Sequence, residues 1–117
     1  MSKLLKKMNL EEHPLGDYRT LSLPQGLHAV VDADDYDRLH HFYWRTKRKG
    51  SIFYAYRRLT HDGVEKILFL HREIMNTPPN MECHHINRNT LDNRRINLAN
   101  VFPDVHRVIH TGLYAKI

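Results

Sequence analysis

The apolar positions of residues 27–75 fall in short runs separated by turn residues, the pattern of strands more than of long helices. Leu27-His28-Ala29-Val30-Val31 is apolar and β-branched, and reads as a short, largely buried strand. Asp32 or Asp34 can then cap a short helix running through Tyr36, Leu39 and His40. Phe42-Tyr43-Trp44 reads as core. The stretch from Ser51 to Leu59 is rich in strand formers; Tyr54 and Tyr56 share one face, and Phe53, Ala55 and Arg57 the other. Asp62-Gly63 is a hairpin turn, and Val64 to Leu70 is the returning strand. Tyr54 and Tyr56 are read as sheet packing in preference to base-stacking platforms. His71-Arg72-Glu73-Ile74-Met75 begins a short helix that ends before the loop Asn76-Thr77-Pro78-Pro79-Asn80.

From residue 81 the pattern changes. Met81-Glu82-Cys83-His84-His85 reads as a strand, and residues 87–95 as a polar loop in which Asn89, Asp92 and Asn93 suit turns. Ile96 to Val101 supplies a second short strand. Pro103 and Asp104 suit the first turn of a helix and Gly112 its end, which predicts a helix over about residues 104–113. The expected fold class is α+β: a small antiparallel β-sheet over residues 27–75, then a ββα unit over residues 81–113, within one domain spanning 27–117. Residues 1–26 show no clear period and begin with Lys3, Lys6 and Lys7. They read as a loosely attached N-terminal arm, with a phosphate-contacting extension as the competing role.

The chain has 117 residues, enough for one small domain and too short for two well-cored ones. Lys and Arg number 18 against 13 Asp and Glu, a net charge of +5, consistent with a polyanionic partner. Arg45-Thr46-Lys47-Arg48-Lys49-Gly50 carries four positive charges and no negative one. It is either a solvated loop between strands or a run that contacts phosphate. Cys83 is the single cysteine, so no intrachain disulfide can form, which suits a reducing compartment. With no apolar run approaching a membrane span, the chain is expected to be soluble and cytoplasmic.

Four of the ten histidines lie between residues 84 and 110, as the adjacent pair His84-His85 and the i,i+4 pair His106 and His110. Residues i and i+4 share a helix face, so His106 and His110 can point two imidazoles at one metal ion. Adjacent residues of a regular strand point to opposite faces. One of His84 and His85 can then bind a metal while its neighbour does other work. A classical zinc finger is disfavoured, because there is no Cys-x-x-Cys.

The run His84-His85-Ile86-Asn87-Arg88-Asn89-Thr90-Leu91-Asp92-Asn93-Arg94-Arg95-Ile96-Asn97-Leu98 resembles the HNH endonucleases, in particular the small phage and intron-encoded type. The His, Asn and final His that name the family match His85, Asn97 and His106. The resemblance extends upstream through Trp44, Leu70 to Met75, and Pro78-Pro79, covering roughly residues 28–110. Phage and homing members usually carry Asp where this chain has His84; the double His is similar to the colicin-type DNase arrangement.

The resemblance implies a ββα-metal (His-Me finger) motif and hydrolysis of DNA phosphodiester bonds, of nicking or homing type. His85 would be the general base, and Asn97 would orient the loop and that imidazole. His84, His106 and His110 would hold one divalent ion. Neutral imidazoles favour zinc, nickel or manganese, whereas the family often works with magnesium, so the ion stays open among these. Arg88, Arg94, Arg95 and Arg107 would clamp phosphate beside the site, together with Arg45, Lys47, Arg48 and Lys49. The expected partner is double-stranded DNA, met by a monomer, with no membrane involved. The alternatives are a catalytically silent DNA-binding module with a structural metal site, or a non-nucleolytic metal-binding interaction domain.

Overall fold

The structure, a computed structural model, describes residues 17–105. Three small antiparallel sheets and two short α-helices make up these residues. Strands β1 (Tyr18–Ser22) and β2 (His28–Asp32) form the first sheet, with Leu21 opposite Ala29. Helix α1 (Ala33–Leu39) follows directly. Strands β3 (Arg45–Lys49), β4 (Ile52–His61) and β5 (Val64–Phe69) form a three-stranded meander. Helix α2 (Leu70–Met75) continues from β5, and β6 (Glu82–His85) pairs with β7 (Leu98–Val101). Among the described residues no helix is long and apolar enough to cross a membrane.

Local chemistry accounts for each join. Ala29, Val30 and Val31 are all fully buried, so β2 is covered on both faces and reads as an unbroken apolar run. Asp62 and Gly63 both have positive φ, 51° and 75°, the geometry a two-residue hairpin demands. Asn76 adopts φ 47° and ends α2, its amide donating to the carbonyls of Arg72 and Glu73. The indole of Trp44 donates to the Leu39 carbonyl at 2.8 Å, which satisfies its N–H while the ring joins the core. Leu39 and Leu70, both fully buried, pack there with Leu21, Ile74, Leu91 and Leu98. Truncating either leucine to alanine costs about 2–5 kcal/mol.

Two expectations are corrected. The N-terminal arm does not extend to residue 26: Tyr18–Ser22 is a strand, and Leu21 and Leu23 are buried in the core. Their alternation with Ser22 is a period of two, the mark of a half-buried strand. Arg45–Lys49 is no loop but the outer strand of the meander, where a charged edge resists pairing with another chain. The expected helix over 104–113 lies mostly outside the described residues; 103–105 are helical.

Candidate active site

Strand alternation sorts the basic run of β3. Register places Arg45 opposite Tyr56, Lys47 opposite Tyr54 and Lys49 opposite Ile52, so these six side chains share one face. Phe69 on β5, opposite Tyr56, joins them. The other face carries Thr46, Arg48, Phe53 and Ala55, and packs on the core through Phe53 and Ala55. Arg48 therefore parts company with its neighbours, its guanidinium lying 5.9 Å from the Phe53 ring centroid.

The face bearing Lys47, Lys49 and Tyr54 forms one wall of a cleft of about 420 Å³. The opposite wall comes from β6 and the turn after it, through Glu82, Cys83, His84, His85 and Arg88. His71 and Arg72, from the first turn of α2, close the cleft. Its lining holds four Lys or Arg side chains against the single carboxylate of Glu82. It is therefore an anion-attracting slot lined by three histidines.

His85 ends β6 and is 5% exposed. Its Nε2 lies 2.8 Å from Asn93 Oδ1. The Asn93 Nδ2 donates to the Thr90 carbonyl, which leaves Oδ1 as the atom facing the imidazole. An amide oxygen can only accept, so Nε2 carries the hydrogen and the lone pair of a neutral His85 resides on Nδ1. The ring is boxed by His71 and Tyr54, with centroids 4.7 and 6.2 Å away. His84, 6% exposed, also lines the cleft, as the strand alternation ends at its neighbour.

The loop over residues 86–97 is held rigid from within. Asn97 is the staple: its Oδ1 accepts from the Asn87 amide at 2.8 Å, and its Nδ2 donates to Asn87 Oδ1 and to the Asp92 carbonyl, each at 2.9 Å. Its own carbonyl accepts from the Ile86 amide at 2.8 Å. Asp92, fully buried, accepts from Arg94 Nε and NH2 at 2.9 and 2.8 Å and from Asn87 Nδ2 at 3.0 Å. A buried charge requires such pairing to be tolerable. Two backbone bonds then rivet the loop to β2: the Val30 amide donates to the Leu91 carbonyl at 2.8 Å, and the Asn93 amide to the Val30 carbonyl at 2.7 Å. The first sheet is thus the platform on which Asn93 stands.

No family model, curated protein or solved structure matches the chain.

The candidate residues divide accordingly. Arg45, Lys47 and Lys49 share the face that walls the cleft, and Arg88 lines it, at φ 65° in the turn that His85 opens. Arg94 is corrected: its side chain is 2% exposed and locked on Asp92, so it serves the loop and cannot reach a phosphate. Arg95 clamps Asp35 with Nε and NH2 at 3.0 and 2.9 Å, and its amide donates to Asp32, tying the loop to α1. The Asp35 carboxylate raises the Arg95 pKa further. Asn97 bonds within the loop, to Asn87 and Asp92, and the side chain against the imidazole is Asn93. His106, Arg107 and His110 lie outside the described residues. Among those described, no group of three or more His, Cys, Asp or Glu could hold a metal ion.

One neighbour of His85 escaped the sequence reading. Asn93 sits in a loop with other residues that suit turns, and only the fold aims it at His85. His71, from the short helix expected after the hairpin, is 9% exposed and packs on His85 inside the cleft.

Proposed function

We propose that the chain is a metal-dependent endonuclease of the HNH type, hydrolysing phosphodiester bonds of double-stranded DNA. The observation that carries this reading is a buried imidazole with its tautomer fixed, His85 on Asn93, in a cleft whose rim is basic. In this reading β6 and β7 are the two strands of a ββα-metal motif, and residues 103–105 begin its helix.

Lys47, Lys49 and Arg88 bind the phosphate, and Arg45 extends the basic rim along the sheet. His85 takes a proton from water at Nδ1, leaving an imidazolium whose Nε2–H stays on Asn93. His71 and Tyr54 pack the ring so that it cannot swing away. Asn97 keeps the loop closed, and with it the position of Asn93. A divalent ion of the zinc, manganese, magnesium or nickel class would be held by the imidazole of His84 together with those of His106 and His110, which lie outside the described residues. Such an ion, when bound, supplies Lewis acidity toward the phosphoryl oxygen and the leaving O3′.

The test is incubation of the purified chain with supercoiled plasmid and each divalent metal in turn, with a chelator control. Nicking should require metal, and His85→Ala should slow it about 10²–10⁴-fold, the usual share of a positioned base. Equal rates for wild type and His85→Ala would leave a silent DNA-binding module as the better account.

A further inference from the structure

The charge of the chain is not spread over it. Between Arg45 and Phe69 there are seven Lys or Arg and two Asp or Glu, an excess equal to the whole net charge of +5. The remaining residues balance. The excess lies over residues 45–57, with five Lys or Arg and no acid, while residues 58–69 carry two of each, so the end of the sheet nearest the cleft is the part suited to phosphate and the distal end is neutral.

The sheet also reaches beyond the cleft. All residues from 58 to 67 are exposed, on both faces of the β4–β5 hairpin, so this end packs on no other element among the described residues. A two-stranded ribbon in that situation is marginal in water unless something covers it. Along the face that walls the cleft, the rows Tyr56–Phe69, Arg58–Ile67 and Thr60–Glu65 succeed one another outward. Glu65 Oε1 lies 3.1 Å from Arg58 Nε, which sets the plane of the guanidinium.

We infer that this distal ribbon reads base edges in the major groove of duplex DNA, with Arg58, Thr60 and Glu65 as its specificity-determining residues. The inference takes its partner from the endonuclease reading above. The major groove, about 12 Å wide, admits a two-stranded β-ribbon. The exposed groups are the ones that discriminate bases there: the Arg fork for guanine, Glu for the cytosine amine, a Thr hydroxyl, and Ile67 between them for a thymine methyl. Spacing turns this into a number. Arg58 and Thr60 follow Tyr54, in the cleft, by four and six residues of β4. At about 3.3 Å per residue that is about 13 and 20 Å. A ribbon lying along the groove then contacts pairs about four to six steps from the scissile bond.

The experiment has two arms, both on the full chain. In one, wild type is held metal-free with a chelator and used to select bound duplexes from a randomised library. In the other, wild type with metal cleaves the same library and the new ends are sequenced. A base preference should appear in both arms, lying about four to six pairs from the cut in the second. Arg58→Lys keeps the charge but loses the fork, and should reduce discrimination at one position about 5–150-fold. Cleavage without preference in that window, or a preference untouched by Arg58→Lys, overturns the inference. If nothing is cleaved with any metal, the endonuclease reading fails, and the binding arm alone decides. A selected preference lost in Arg58→Lys then sustains base reading, and no preference refutes it.

Discussion

Replacing Asn93 by alanine should separate the positioning of the base from the integrity of the fold. In the native chain Asn93 Oδ1 accepts from His85 Nε2 at 2.8 Å, and both side chains are buried. Asn93→Ala leaves a buried N–H with no acceptor, which costs about 1–3 kcal/mol. Against a total of about 5–15 kcal/mol the domain stays folded. Its melting midpoint should fall by about 3–15 °C. The backbone bonds of residues 91 and 93 to Val30 survive the substitution, so the loop keeps its path. What is lost is the rule that Nε2 carries the hydrogen. An imidazole free to choose its tautomer presents Nδ1 as acceptor for only part of the time, and its ring can tilt within the cleft. Nicking should therefore slow, by less than the 10²–10⁴-fold expected of His85→Ala. Asn93→Asp restores an acceptor, but its carboxylate favours the imidazolium, so the rise of activity with pH should move upward. The assay is plasmid nicking across a pH series, beside thermal melting of each variant. Asn93→Ala that melts earlier yet nicks as fast as wild type would refute the argument and make Asn93 a purely structural residue.

Arg94→Met should break the buried pair with Asp92 and cost about 3–5 kcal/mol, read as a lower urea midpoint at unchanged slope; a loss below about 1 kcal/mol would mean the pair behaves like an exposed one. For DNA binding, Lys47→Gln combined with Lys49→Gln should flatten the log–log salt dependence by about two units, whereas Arg48→Gln, on the opposite face, should leave the slope as it is. Equal effects of both changes would contradict the sorting of β3 by face. Burial pushes the Cys83 thiol up, with weaker downward pulls from Thr77 and Arg72. Its alkylation at neutral pH should be slow until the chain unfolds. Because the folded state holds this proton more tightly, the associated stability is complete below the ordinary thiol range, about pH 8.5, and declines as pH rises through it. Cys83→Ala should remove that decline in a pH series of denaturation midpoints.

The local chemistry of the chain was legible where one residue dictates one geometry. Asp62-Gly63 reads as a turn because few residues tolerate positive φ, and the hairpin is there. The strand at residues 82–85 and the polar loop after it were equally readable. Three things were not. Tyr18–Ser22 was hidden by the prolines and glycines around it, although Leu21 and Leu23 carried the period of a strand. The resemblance makes Arg94 a phosphate clamp; its actual partner, Asp92, lies two residues away in a loop that only folding buries. Asn93 was missed because its meaning is tertiary. Nothing in the spacing of Asn93 from His85 distinguishes it from Asn89, whose side chain accepts from the Leu91 amide in a local turn.

The rivets between β2 and the loop also determine when the site can exist during synthesis. Arg95 and Asp35, which join the same two regions, are 60 residues apart in the chain. A contact of that span cannot repay its loop-closure entropy until both ends are present. A nascent chain that has emerged only as far as the meander carries the basic face complete, yet neither His85 nor Asn93. The basic face of β3 therefore precedes the histidine cleft in order of translation, and on the endonuclease reading proposed above a ribosome-bound intermediate would bind DNA before it could cut.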